Sequence, residues 1–247
     1  MTAHSTRFGP SLVFQGSLAQ TIEEAKRAAD VGFDVVLVPD HLGFQAPFPT
    51  LVAIADAVPS IRVGNLVINS ALYRPALLAR DLATVDAASG GRLDIALGTG
   101  YVEEDFSGSG LPFPTGRQRV DLLTEHVLTI RELLSSPDYR PAPVQSPPPI
   151  MVAGIGDRLL SMAAEHADTI AIAAQGTETE LAERIAYIKT HAGARFDPDR
   201  VGVQLLSSQH RRFDTGPDAA ADALTGEHRR TTPRLCHPAT RLSRAGR

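Results

Sequence analysis

Seven short apolar segments alternate with amphipathic stretches along most of the chain. The segments are rich in aliphatic and β-branched residues, as buried parallel strands are. They predict strands at residues 12–14, 34–41, 61–70, 92–100, 149–157, 169–176 and 201–208. The stretches between them repeat apolar residues at spacings of three and four, which indicates helices. We predict helices at residues 17–32, 50–57, 75–90, 117–135, 157–167, 178–192 and 217–224.

This alternation predicts an α/β fold, a TIM (β/α)8 barrel that lacks a proper eighth strand and helix. In such barrels the active site lies at the C-terminal ends of the strands, where this chain places Gly, Asn, Asp and His. A length of 247 residues suits a single barrel, which we assign to residues 1–227. The long segment 101–116 is predicted to be a structureless functional loop.

Residues 228–247 carry six Arg and no acid, so we predict a basic, disordered tail. Such a tail could bind an anionic partner. We favour the alternative that the C-terminus is truncated or frameshifted.

Composition narrows the function classes. The net charge of −4 gives no support for nucleic-acid binding. No apolar stretch approaches the roughly 18 residues of a membrane span, and the N-terminus has no signal-like apolar region, so we expect a cytoplasmic protein without a membrane partner. The single cysteine, Cys236, cannot form a disulfide framework or a Cys-based zinc site, and we predict no metal site.

Four polar or glycine-rich segments are considered as sites of chemistry. Asp40 and His41 end the second predicted strand, where His41 could donate a proton or bind a substrate; the alternative is a structural His held by its neighbour. The Gly98–Gly100 turn could admit a flat or charged ligand, or simply reverse the chain. The acids at 103–105 could form an acid cluster for chemistry, and we favour the alternative that they are a solvated loop face. The glycine-rich turn at 153–157 precedes a helix and predicts a phosphate site.

Four segments resemble one family. They are VPDH at 38–41, VGNLVINSALYRPALLARDLATVDAASGGRLDIALGTGYVEEDF at 63–106, GRQRVDLLTEHVLTIRELL at 116–134 and PPIMVAGIGDRLLSMAAEHAD at 148–168. Together they resemble the luciferase-like monooxygenase superfamily, and most closely its branch that uses the deazaflavin coenzyme F420. The resemblance covers most of residues 8–175.

The resemblance implies a barrel that binds F420 at the strand ends. F420 carries hydride and activates oxygen poorly, which implies a dehydrogenase or reductase acting on a small organic substrate. Two alternatives stay open: an FMN-dependent monooxygenase, and a truncated barrel with little activity. Members of the superfamily often dimerise, so the resemblance also allows a homodimer.

The resemblance also assigns residues. His41 lies beside the coenzyme face that the resemblance implies, and we predict it as proton donor or substrate anchor; Tyr101 is our second, weaker candidate for proton donor. A non-proline cis peptide is implied at Leu66–Val67. Contacts to the coenzyme ring and tail are implied for Asp40, Leu66, Val67, Asn69, Gly98, Thr99 and Gly100, and phosphate contacts for Gly154, Ile155, Gly156 and Asp157.

The chain departs from the sugar-phosphate dehydrogenases of this branch at two places. Tyr101 stands directly after the Gly98–Gly100 turn, where those enzymes have an acid, and LGFQ follows His41 where they carry a Trp. We therefore do not expect oxidation of glucose 6-phosphate.

Overall fold

The computed structural model describes residues 7–13, 16–173 and 177–203. The helices are α1 Leu18–Asp30, α2 Pro47–Ala57, α3 Pro75–Ala88, α4 Glu103–Gly108, α5 Gly116–Ser135, α6 Asp157–His166 and α7 Glu178–Ala192. The strands are β1 Val35–Val38, β2 Arg62–Asn65, β3 Ile68–Asn69, β4 Leu93–Gly98, β5 Ile150–Gly154, β6 Thr169–Ile172 and β7 Val201–Val203.

All pairings between these strands are parallel. The order is β1-β2-β4-β5-β6-β7, and the short β3 pairs with β4 beyond the end of β2. Helices connect successive strands, so the predicted α/β barrel architecture is confirmed. Within the described residues no strand follows β7, and the barrel formed by this part of the chain is incomplete.

One continuous apolar core joins the sheet to the surrounding helices. Its fully buried members include Val36, Val63, Leu82, Leu97, Ile130, Val152 and Leu160. The strands are buried almost continuously, as in β4 where five of six residues are buried, which agrees with the apolar runs of the sequence. The buried residues of α5 recur at spacings of three and four, as a helix with one inward face requires. No helix among the residues described has both the length and the apolar character needed to cross a membrane.

Most of the long helices begin with a sequence signal that fixes the first turn. Three of them start with a reciprocal capping box: Ser17 with Gln20, Thr115 with Gln118, and Thr177 with Glu180. The α6 helix has no side-chain cap, as is also the case for α2, α3 and α4, and its N-cap residue is Gly156. Its first backbone N–H groups therefore face outward without a local acceptor.

Several predicted boundaries are wrong. The predicted strand 61–70 is divided into β2 and β3 at residues 66 and 67. Of the predicted strand at 12–14, residues 12 and 13 are not in a strand, and the preceding Ser11 forms an isolated bridge with Leu37. The α2 helix starts at Pro47, because proline at the first turn is compatible with helix initiation. The segment predicted as a structureless loop contains α4.

Some predictions lie outside the described residues. They are the helix at 217–224, the tail at 228–247, and the distal parts of the predicted strands at 12–14, 169–176 and 201–208. The segment 228–247 therefore stays a sequence-based prediction.

Candidate active site at the strand C-terminal ends

Parallel pairing brings the C-terminal ends of the strands to one edge of the sheet. Asp40 and His41 follow β1, and Asn69 ends β3 in register with Gly98 at the end of β4. Gly154 ends the neighbouring strand β5. The groups that the sequence identified as candidates therefore surround one mouth.

His41 is paired with a buried carboxylate at this mouth. Its Nδ1 atom lies 2.7 Å from Oδ2 of Asp105, a residue of α4 that is only 4% exposed. The other carboxylate oxygen, Oδ1, accepts the backbone N–H of Leu42 at 3.0 Å. The rings of Phe44 and Tyr101 lie 5.9 and 6.1 Å from the imidazole. Asp105 thus holds both the ring and the loop that carries it.

The side chain of Asp40 is buried and forms hydrogen bonds to Asn69 in β3 and to Tyr73. Its Oδ2 atom accepts the backbone N–H of Asn69 at 3.0 Å, and its Oδ1 atom accepts the Tyr73 hydroxyl at 3.2 Å. Burial raises the pKa of Asp40 above its ordinary value of 3.8, and these two hydrogen bonds act in the opposite direction. Burial, followed by the charge of Asp40, also raises the pKa of Tyr73. Both oxygens of Asp40 are therefore engaged by protein groups.

A bulge lies between β2 and β3 and packs on the glycines of the next strand. The Leu66–Val67 peptide bond is cis, as the resemblance implied. A Cβ atom at Gly98 would lie 2.5 Å from Cγ2 of Val67, and one at Gly100 would lie 2.3 Å from Oδ1 of Asn69. Gly100 also has a φ of 69°. These two positions need glycine because the protein's own bulge occupies the space.

The side chain of Asn69 retains an unused acceptor. Asn69 is 4% exposed, and its Oδ1 atom has no hydrogen-bond partner within the part of the chain that the structure describes. Buried amide oxygens are nearly always paired in native proteins. An Asn oxygen at the strand ends, beside the bulge, is therefore suited to accept a hydrogen bond from a bound molecule.

The turn between β5 and α6 is exposed, in contrast to the buried strand ends of β3 and β4. Gly154 packs against Leu159, whereas Ile155, Gly156 and Asp157 are exposed. A Cβ atom at Gly156 would meet nothing within 4 Å. The carboxylate of Asp157 pairs with Arg184, which partly offsets its charge at the helix start. The uncapped N-terminus of α6 is thus open to an anion.

The structure brings together most of the predicted residues. His41 contacts Tyr101, Asp40 contacts Asn69, and Asn69 contacts Gly100. Thr99 is half-buried between the two glycines. The predicted phosphate residues lie on the neighbouring strand end.

The interpretation of residues 103–105 as a solvated face is wrong for one of them. Glu103 and Glu104 are exposed, but Asp105 is buried and bonded to His41. The signal available in the sequence was the adjacent apolar Phe106, which is buried and marks the side of α4 that faces inward. Tyr73 was also missed, although an aromatic residue between a strand and a helix is typical of a packed connection.

Comparison with known proteins identifies the family to which this chain belongs. A model of the luciferase-like monooxygenase family matches residues 1–237. The chain belongs to this family. Members described as F420-dependent glucose-6-phosphate dehydrogenases are similar over about half of it: one from Amycolatopsis mediterranei is 31% identical over 143 residues, and one from Kribbella flavida is 30% identical over 140. The matches cover 54% and 53% of this chain, and the chain spans 40% of the length of each relative.

Solved structures with the family fold include enzymes with different cofactors. The F420-dependent tetrahydromethanopterin reductase of Methanopyrus kandleri superimposes with a TM-score of 0.71 at 23% identity, over 80% of this chain and 64% of its own. A Baeyer–Villiger monooxygenase component from Pseudomonas putida, solved with FMN, gives 0.68 at 18% identity, over 80% and 66%. The fold is therefore shared between deazaflavin and flavin enzymes.

Proposed function

We propose that this member of the luciferase-like family is an F420-dependent oxidoreductase that moves hydride between the deazaflavin and a small organic substrate. The observation that carries the proposal is the His41–Asp105 pair at the strand ends, beside a glycine-packed bulge. The curated relatives are named as F420-dependent dehydrogenases, which supports the choice of coenzyme.

The residues at the mouth fit such a coenzyme. Oδ1 of Asn69 lacks a partner among the described residues and would accept an N–H of the ring system. The first turn of α6, from Gly156, would take the phosphate through backbone N–H groups. When bound, a deazaflavin supplies two-electron hydride chemistry. Ring contacts by Leu66, Val67, Gly98 and Thr99 are part of this proposal.

His41 and Tyr101 are proposed to serve the substrate. The imidazole is 30% exposed at the mouth and held on one side by Asp105, so its other side can exchange a proton with a substrate oxygen. Tyr101 is 79% exposed with its ring near the imidazole, which makes it a second, weaker proton donor.

The charges around His41 favour an uncharged substrate. The loops at 39–46 and 99–115 contain four acids and no Lys or Arg. An anionic sugar phosphate would find no cationic partner on these loops, and desolvating an unpaired phosphate is costly. Tyr101 also stands where the resemblance places an acid in the sugar-phosphate dehydrogenases. We propose a neutral hydroxyl- or carbonyl-bearing compound.

The second candidate is an FMN-dependent monooxygenase. The FMN-containing structure with the same fold favours it, because the α6 N-terminus could hold the phosphate of either cofactor. A reduced flavin would then come from a partner reductase.

Fluorescence anisotropy of the cofactors separates these proposals. The chain has no Trp, so the emission of F420 or FMN is the better signal. Tight binding of F420 and weak binding of FMN supports hydride transfer, and the reverse preference supports the monooxygenase. Riboflavin, which lacks the phosphate, is the matched ligand control. Binding of neither cofactor would contradict both proposals and favour a barrel with little activity.

A further inference from the structure

We propose that Asp105 is a positioning residue that fixes which ring nitrogen of His41 exchanges protons. The inference deepens the proposed function and rests on it, because it concerns the residue assigned to meet the substrate. Asp105 itself acts through His41 and through the backbone of Leu42, with one carboxylate oxygen on each.

The assignment follows from the chemistry of the two groups. An ionised carboxylate only accepts hydrogen bonds, and a neutral imidazole has a single N–H. Oδ2 of Asp105 lies 2.7 Å from Nδ1 of His41, so the N–H of the neutral ring must be at Nδ1. Nε2 is then an unprotonated acceptor. No group among the described residues forms a hydrogen bond with Nε2.

The carboxylate has little freedom to turn away. Asp105 is 4% exposed, and its neighbour Phe106 is fully buried with its ring 5.0 Å from that of Phe113. The bond from Leu42 N–H to Oδ1 fixes the orientation of the carboxylate plane. The packing of α4 therefore determines the orientation of a side chain that belongs to the β1 loop.

Proton exchange is consequently confined to one atom. In the neutral state Nε2 takes a proton, and in the charged state Nε2 gives it back, while the Nδ1–H bond to Asp105 persists in both states. A substrate oxygen must approach from the side opposite α4. This arrangement gives a function to the one buried acid of a segment that is exposed at Glu103 and Glu104.

The Asp105→Asn variant tests the inference because it preserves size and shape. The N–H of Leu42 still needs an acceptor, so the amide oxygen of Asn would face Leu42 and its NH₂ would face Nδ1. The amide can then only donate to the ring, and the neutral imidazole must carry its proton on Nε2. A wrong tautomer of this kind removes a catalytic His from proton transfer.

Nuclear magnetic resonance of ¹⁵N-histidine-labelled protein reads the tautomer directly. His41→Gln assigns the signal, and each sample is titrated until the ring is neutral. We expect N–H at Nδ1 in the unmodified chain and at Nε2 in Asp105→Asn. Glu104→Gln, which removes a neighbouring exposed charge, should leave the Nδ1 tautomer in place.

An Nε2–H tautomer in the unmodified chain would overturn the inference, and so would an unchanged tautomer in an Asp105→Asn variant that still unfolds cooperatively. If Asp105→Asn does not unfold cooperatively, Asp105→Glu is measured in its place, because it retains the carboxylate. We expect the Nδ1–H tautomer in Asp105→Glu. An Nε2–H tautomer in this variant would also overturn the inference. The measurement needs no cofactor, so a failure to bind F420 would contradict the proposed function and leave this result standing.

Discussion

The rim formed by β1, β3 and β4 differs from the rim formed by β5 and α6 in how its polar groups are satisfied. On the first rim both oxygens of Asp40 and both oxygens of Asp105 have protein partners, and glycines are packed against side chains. On the second rim Gly156 is exposed, uncapped and surrounded by open space. The two acids of the first rim are held by protein groups and Oδ1 of Asn69 lacks a partner among the described residues, whereas the helix start of the second rim is open to a ligand.

The difference matches two chemical tasks. Proton transfer depends on orientation within a fraction of an ångström, so its groups need supporting hydrogen bonds. Anion binding at a helix start depends on accessible backbone N–H groups, which a capping side chain would occupy. Variants on the two rims should therefore fail in different ways: the first in turnover or folding, the second in cofactor affinity.

The largest expected effect is on turnover. In His41→Gln we expect kcat with a neutral alcohol or ketone substrate to fall by about 10²–10⁴-fold, because the proton-exchanging ring is removed. F420 affinity measured by anisotropy should stay within about twofold, as the ring is assigned to the substrate. Tyr101→Phe is the comparison variant, with a smaller loss. An unchanged kcat in His41→Gln would remove His41 from the reaction.

The next largest effect is on folding. Gly100→Ala should lower the free energy of unfolding by about 2–4 kcal/mol, because it combines a positive φ with a clash against Asn69. Gly110→Ala is the matched control, since Gly110 has a φ of 74° and a Cβ atom added there would meet nothing within 4 Å. Urea unfolding should show a smaller loss there. Equal losses would mean that the contact with Asn69 is not significant.

A smaller effect is expected in the pH dependence of stability. Burial raises the folded-state pKa of Asp40, so ionisation of Asp40 destabilises the folded protein. This penalty is absent below the ordinary pKa of 3.8, and it grows as the pH rises through the raised pKa. Asp40→Asn cannot ionise, and its amide can still accept from Asn69 and donate to Tyr73. Its stability relative to the unmodified chain should therefore increase as the pH rises from about 3.5 to about 7. Urea unfolding at each pH checks this, and a constant difference would contradict it.

The smallest stability change belongs to the open rim. Gly156→Ser should stabilise the protein by a few tenths of a kcal/mol, because the hydroxyl caps α6. The same hydroxyl would compete for the N–H groups offered to a phosphate, so F420 affinity should fall several-fold. Gly156→Ala adds a Cβ atom without an acceptor and should bind F420 normally. Unchanged affinity in Gly156→Ser would move the phosphate away from this turn.

Sequence patterns predicted the elements better than the contacts. Strand and helix periodicity placed α3, α5, α6 and α7 within a residue or two, because local caps and apolar spacing determine those boundaries. The Asp40–His41 position followed from the rule for strand ends. The partner of His41 did not, because Asp105 lies 64 residues away in a run of three acids that is typical of solvent. Only packing of Phe106 distinguishes the buried acid from its two exposed neighbours.

The break between β2 and β3 could not be predicted from the periodicity of apolar residues either. Residues 61–70 form one apolar run, and nothing in their alternation marks the break at Leu66–Val67. The family resemblance supplied that feature. Its physical requirement becomes visible only in three dimensions, where Gly98 and Gly100 leave room for Val67 and Asn69.

The double attachment of Asp105 also limits how this mouth can be redesigned for larger substrates. Displacing α4 to widen the opening would break the bonds from Asp105 to His41 and to Leu42 together. A larger opening gained in this way would therefore come with a loss of proton transfer. Trimming Tyr101, which is 79% exposed and holds no hydrogen bond to His41, would widen the same opening with the carboxylate left in place. New substrate range in this scaffold should therefore come from position 101 before it comes from the helix that follows.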